Sequence, residues 1–146
     1  MSQAADGILT LSQPTQIAKA DLAALLLRAS MGVLFLAHAG IKIFVLTPAG
    51  TVGYFASLGL PAVMAYAVIL AELFGGLALL LGLWTRWVSL ALLPILLGAI
   101  FLSHGAKGFL FSKPGGGWEF PAFWAVALVV QALLGGGAYA LKKDNA

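Results

Sequence analysis

Ionisable side chains stand inside the long apolar stretches of this sequence, where a charge is costly and marks a candidate functional residue. The set comprises Arg28, His38, Lys42, Glu72 and, at the end of a later stretch, His104. Gln131 adds a neutral polar group to the last apolar stretch. Cationic donors, a carboxylate and protonatable imidazoles in apolar surroundings can bind a small polar head group and exchange protons with it.

Three of these residues share one face of the first apolar stretch. At about 100° per residue, Arg28, His38 and Lys42 fall within a helical stripe roughly 80° wide. Phe35 lies in the same stripe and offers a ring on which a ligand could pack. The stripe is therefore expected to face the interior of a helix bundle.

The depth of each charge in its stretch predicts a buried ion pair between Arg28 and Glu72. Glu72 lies about 16 Å from either end of its stretch, and Arg28 lies about 9 Å from the start of its own, so the long arginine side chain can reach toward the carboxylate. The pair could fix two helices together or take part in a ligand or proton site. Lys42 is expected to reach the outer polar surface or to join the site. His38 is expected either to make a structural hydrogen bond or to join the site, and His104 is expected at the interface.

Composition excludes several classes of protein. Of the 146 residues, 62% are hydrophobic and 9% are charged, against about 25% charged residues in a soluble domain. The absence of cysteine excludes disulfides, thiolate metal sites and thiol catalysis. The eight Lys and Arg residues are scattered and do not form the basic patch of a nucleic-acid-binding protein. His38 and His104, without a further ligand pattern, do not predict a protein-bound metal.

Four apolar stretches are each long enough to cross a membrane as a helix, which takes about 20 residues. They predict an all-α, integral membrane four-helix bundle with helices at about 22–46, 61–83, 87–106 and 120–141. The bundle forms one domain, residues 21–143, behind a polar tail of residues 1–20.

The connections between these stretches differ in character. Residues 47–60 contain glycine and proline and are predicted as a loop. The connection formed by residues 82–87 is so short that the second and third helices must be antiparallel neighbours. Small residues recur at every fourth position from Ala67 to Gly75, and predict a close contact between helix backbones. The side of the bundle that holds both termini carries more basic residues than the other, so both termini are predicted to face the cytoplasm.

The first half of the chain resembles the DoxX family of small membrane proteins. RASMGVLFLAHAGIK (28–42) looks like the first helix of that family, with arginine, glycine, phenylalanine, histidine and lysine at the family spacings. FASLGLP (55–61) is similar to the next family segment, and AELFGGLALLLGLWTR (71–86) is the most specific match. The ending GGGAYALKK (135–143) departs from the family pattern, which has a proline where Gly136 stands and an acid where Lys142 stands.

This resemblance implies a multi-pass bundle in the bacterial cytoplasmic (inner) membrane, and one branch of the family is associated with thiosulfate:quinone oxidoreductase. We therefore expect a quinone-associated oxidoreductase component that works in the lipid bilayer as a homo-oligomer or with a partner redox subunit. A quinone head group would be held by the ionisable side chains of the first two helices, with Phe35 beside its ring and His104 and Gln131 as secondary candidates. The alternatives are a non-catalytic assembly or anchoring subunit and a small proton-linked transporter.

Overall fold

The computed structural model describes residues 17–142 as a bundle of five α-helices, with no strand in that range. The helices are α1 (Lys19–Gly40), α2 (Thr47–Ser57), α3 (Ala62–Leu81), α4 (Thr85–Gly98) and α5 (Glu119–Leu134). A π-helical turn, Ile41–Val45, continues α1, and a second, Ala99–His104, continues α4 into a short 3₁₀ turn at Gly105–Lys107. The predicted all-α membrane bundle is confirmed.

Three helical segments are long and apolar enough to cross a membrane: Lys19–Val45, Ala62–Leu81 and Thr85–Lys107. Helix α5 has 16 residues, which span about 24 Å, somewhat less than the roughly 30 Å of a hydrocarbon core. Large apolar side chains point away from the bundle on every side, and Phe44 and Leu133 are 82% and 74% exposed. Such surfaces are stable only against lipid or another apolar partner.

One predicted loop is a helix in the structure. Residues 47–57 form α2, although their glycines and proline had indicated a connection. Pro48 lies in the first turn of α2, where its missing N–H costs nothing. The Thr47 hydroxyl accepts a hydrogen bond from the Gly50 N–H at 3.3 Å, as an N-terminal cap does.

The last helix is shorter than the predicted 120–141. Helix α5 ends at Leu134, where Gly135 adopts φ +76°, a conformation that other residues rarely take. The chain then folds back over the end of α3, and the Leu141 and Lys142 amides donate to the Leu81 and Gly82 carbonyls. Residues 1–16 of the predicted N-terminal tail lie outside the described residues, and its last two residues, 19 and 20, belong to α1. Position 143, the predicted end of the domain, also lies outside the described residues.

Helices α1 and α3 approach each other at two glycines. A methyl group on Gly32 would lie 2.8 Å from the Gly76 carbonyl oxygen, and one on Gly76 would lie 3.0 Å from the Leu36 nitrogen. The contact between these backbones is at Gly76, which is not in the predicted row of small residues, whereas Gly75 of that row faces the Leu92 side chain of α4. Small residues at such positions let backbones approach in lipid, where van der Waals packing drives helix association.

The Gly76→Ala substitution should destabilise the bundle by about 1–3 kcal/mol, because its methyl group meets backbone atoms of α1 that cannot move independently. Gly40→Ala is the matched control, since a methyl group added to this helical glycine would have no neighbouring atom within 4 Å. Thermal unfolding in mild detergent measures both. Equal melting temperatures for the two variants would contradict the close contact.

Candidate functional site

A buried ion pair joins α3 to the π-helical turn that ends α1. The Lys42 ammonium donates to both Glu72 carboxylate oxygens, at 2.8 and 2.7 Å. The Glu72 side chain is 5% exposed and that of Lys42 is 17% exposed. Each charge therefore stands in surroundings where losing its partner would be costly.

The predicted pair between Arg28 and Glu72 is wrong. Arg28 is 1% exposed and donates to four backbone carbonyls, those of Leu79 and Leu80 on α3 and of Gly136 and Ala138 after α5, at 2.7–3.1 Å. Side chains on a helix lean toward its N-terminus. Arg28 therefore leans toward the end of the bundle where α1 begins, whereas Lys42 leans back along α1 to Glu72.

Helix α2 closes the ion pair on one side. The Thr51 hydroxyl is fully buried and lies within hydrogen-bond distance of the Lys42 and Thr47 carbonyl oxygens, at 3.2 and 3.0 Å. In a π-helical turn the hydrogen-bonding pattern shifts by one residue, and such turns are frequent at functional sites. The Thr51 hydroxyl thus connects α2 to the turn that carries Lys42.

Two histidines from different helical segments each place one ring nitrogen at a backbone carbonyl oxygen. His38 Nδ1 lies 2.9 Å from the Leu34 carbonyl oxygen, one turn earlier in α1. His104 Nδ1 lies 3.1 Å from the Gly116 carbonyl oxygen, in the loop between α4 and α5. A carbonyl oxygen only accepts hydrogen bonds, so in each ring Nδ1 carries the proton.

A group of stacked aromatic rings forms the wall beside His38. The Trp124 ring of α5 lies 4.6 Å from the Phe35 ring, 5.0 Å from the His38 ring and 5.8 Å from the Phe120 ring, measured between centroids. Trp124 is 4% exposed, and its enclosed indole N–H has no hydrogen-bond partner among the described residues. Phe35, predicted as a ring for ligand packing, is fully buried behind Trp124.

These groups line one cavity of about 490 Å³. Its wall includes His38, Lys42, Glu72, His104 and Trp124, together with apolar side chains from α2, α3, α4, α5 and both π-helical turns. The volume falls within the range of about 300–1,000 Å³ that is typical of small-molecule sites. An apolar chamber with a few convergent polar groups is what such sites require.

Half-exposed apolar side chains also belong to the cavity wall. Met64 at the start of α3 is 43% exposed, and Leu102 in the second π-helical turn is 51% exposed. Tyr54 of α2 is 41% exposed. The wall is therefore apolar from the ion pair to the surface of the bundle, and an apolar substituent of a ligand can follow it outward.

Besides Phe35, two candidate residues lie outside this cavity. Arg28 holds the segment that follows α5 against α3, as described above. Gln131 is fully buried and donates from its side-chain amide to the Gly135 carbonyl at 2.8 Å, at the end of α5. Both residues thus stabilise the opposite end of the bundle.

The cavity also contains residues that sequence reasoning missed. Trp124 stands in a helix without ionisable residues after its first turn, and Thr51 and Tyr54 belong to the segment predicted as a loop. An aromatic residue in a membrane helix gives no signal that separates a cavity wall from a lipid contact. Within residues 17–142, no group of three or more His, Cys, Asp or Glu side chains is arranged to hold a metal ion.

Comparison with known proteins places these residues in a family context. The family model described as DoxX matches residues 23–105, more than half of the chain. A protein of Bacillus subtilis (strain 168) named "Putative oxidoreductase CatD" is 39% identical over 80 residues, which cover 55% of this chain and 58% of that protein. The chain therefore aligns with less than two thirds of this relative's length. No solved structure matches the chain.

The Lys42→Met substitution should cost about 3–5 kcal/mol of stability, because it leaves the Glu72 carboxylate buried without a counter-ion. The double variant Lys42→Met/Glu72→Gln should recover most of that loss, since neither charge remains. Thermal unfolding in detergent of both variants and of the parent measures the difference. A single variant as stable as the parent, or a double variant no better than the single, would contradict this ion pair.

The Arg28→Lys substitution should loosen the segment after α5, because an ammonium cannot donate in the four directions that the guanidinium uses. Amide hydrogen exchange at Ala138, Leu141 and Lys142 should accelerate about tenfold or more, the effect of losing roughly one charged hydrogen bond. Ser30→Ala is the control, since that exposed hydroxyl donates only within α1. Unchanged exchange at these amides would show that Arg28 does not hold the segment.

Proposed function

This chain belongs to the DoxX family, and we propose that it is a quinone-associated component of a membrane oxidoreductase. The observation that carries the proposal is the cavity that contains the Lys42–Glu72 pair, His38 and His104 within otherwise apolar walls. A quinone needs polar groups at its carbonyl oxygens, an aromatic or apolar surface at its ring and an apolar path for its tail. The cavity offers all three.

Proton exchange is the chemistry that these side chains supply. Reduction of a quinone adds two electrons and two protons, so a binding site benefits from groups that can donate and accept protons. His38, His104 and Glu72 bring imidazole and carboxylate groups to one cavity. Imidazole and carboxylate groups transfer protons but not electrons, so the proposal includes a partner redox subunit or a bound cofactor as the electron donor.

The relative from Bacillus subtilis supports the same class of activity. Its name describes an oxidoreductase. The matched family region, residues 23–105, contains the ionisable residues Arg28, His38, Lys42, Glu72 and His104. The aligned part is 58% of that protein, so its activity is carried over here as a proposal. We place the chain in the bacterial cytoplasmic membrane with both termini toward the cytoplasm.

Purified protein in mild detergent should carry a quinone that organic extraction recovers at about one molecule per cavity. Val68→Trp should abolish this quinone, because Val68 lines the cavity and the larger side chain fills it. Val126→Trp is the matched control, since Val126 lies 61% exposed on α5 outside the cavity wall. Chromatographic quantification of the extract measures all three proteins.

Absence of quinone from the parent protein, also after incubation with added quinone, would contradict the proposed function. Equal quinone content in the Val68→Trp and Val126→Trp variants would place the quinone on the lipid surface and contradict this site.

A further inference from the structure

The two cavity histidines have the same tautomer for the same reason. In each ring Nδ1 donates to a backbone carbonyl, that of Leu34 for His38 and that of Gly116 for His104. Nε2 of each ring has no hydrogen-bond partner within residues 17–142. The enclosed side-chain polar atoms that lack a partner belong to other residues, among them Thr85, Ser89 and the cavity residue Trp124. Both Nε2 atoms are therefore accessible and carry a free lone pair in the neutral ring.

The histidines and Glu72 give the cavity its acceptors, the Tyr54 and Ser103 hydroxyls can donate or accept, and the Trp124 indole N–H is enclosed. The two Nε2 lone pairs accept hydrogen bonds, and the Glu72 carboxylate is acceptor-only when ionised. Lys42 is the charged donor at the wall, and two of its three N–H groups already donate to Glu72. A ligand with hydroxyl groups can donate to these acceptors, whereas the carbonyl oxygens of a quinone cannot.

We propose that the cavity binds the reduced, hydroxyl-bearing form of its aromatic ligand, a hydroquinone, more tightly than the quinone, with Nε2 of His38 and of His104 as the hydroxyl acceptors. This inference rests on the proposed function and adds the redox state that the site prefers. One additional net hydrogen bond to the hydroquinone corresponds to binding about tenfold tighter than that of the quinone. For a two-electron couple, tighter binding of the reduced form by tenfold raises the midpoint potential of the bound couple by about 30 mV.

The test compares two redox states of one probe on the whole chain in detergent. Decyl-substituted ubiquinone and its hydroquinone are titrated separately under anaerobic conditions, and the dissociation constants are measured by isothermal calorimetry. The dimethyl ether of the same hydroquinone is the third ligand, because it keeps the reduced ring but cannot donate. The hydroquinone should bind about tenfold more tightly than the quinone, and the ether should bind no more tightly than the quinone.

A matched pair of variants assigns the preference to a ring nitrogen. His38→Asn can still donate to the Leu34 carbonyl from the position of Nδ1 but has no group at the position of Nε2, so hydroquinone affinity should fall about tenfold while quinone affinity stays within about twofold. His38→Gln places an amide oxygen near the position of Nε2 and should restore part of the preference. A purely structural role of His38 would lower the affinity for both redox states together.

The outcomes separate this inference from the proposed function. Equal affinity for the two redox states, or tighter binding of the quinone, would overturn the inference and leave the quinone site in place. Failure of every probe to bind would overturn both. A preference for hydroquinone that the ether shares, or that His38→Asn and His104→Asn leave unchanged, would also overturn the inference, because the hydroxyl groups or the two histidines would then not be its cause.

Discussion

The ion pair between Lys42 and Glu72 is the interaction on which the cavity depends. Two opposite charges that stand among apolar helices must stay together, since separating them would strand each in a medium that solvates neither. The close approach of α1 and α3 at Gly32 and Gly76 keeps their separation fixed. The carbonyl of Lys42 also lies within hydrogen-bond distance of the Thr51 hydroxyl, so the same turn connects α1, α2 and α3 around one chamber.

The bundle has a second polar centre around Arg28, whose hydrogen bonds all go to the protein backbone. Arg28 is enclosed and donates to four backbone carbonyls, so its donors are used within the protein. These bonds fasten the segment after α5 to α3 and close one end of the bundle. The histidines near the other end each keep one ring nitrogen accessible. The Arg28 centre therefore stabilises the fold, and the centre formed by Lys42, Glu72 and the two histidines is the candidate ligand site.

Much of this arrangement could be predicted from the sequence, and the exceptions have physical causes. Long apolar stretches predicted α1, α3 and α4 because lipid leaves a segment of that length few alternatives to a helix. The face shared by His38 and Lys42 followed from helical periodicity, whereas the partner of Glu72 was predicted incorrectly because depth was considered without the tilt of side chains toward the helix N-terminus. Trp124 reaches the cavity through the packing of α5 against α4, which periodicity in a uniformly apolar helix does not indicate.

We propose above all that the cavity beside Lys42 and Glu72 holds a quinone head group. Photoaffinity labelling with an azido-quinone, followed by mass-spectrometric mapping of the labelled peptides, tests it most directly. The account predicts saturable labelling of residues that line the cavity in the first half of α3 and in the 94–104 segment, suppressed by excess unlabelled quinone. Labelling that no excess quinone suppresses, or that falls on the outward face of α5 around Phe123 and Leu133, would contradict it.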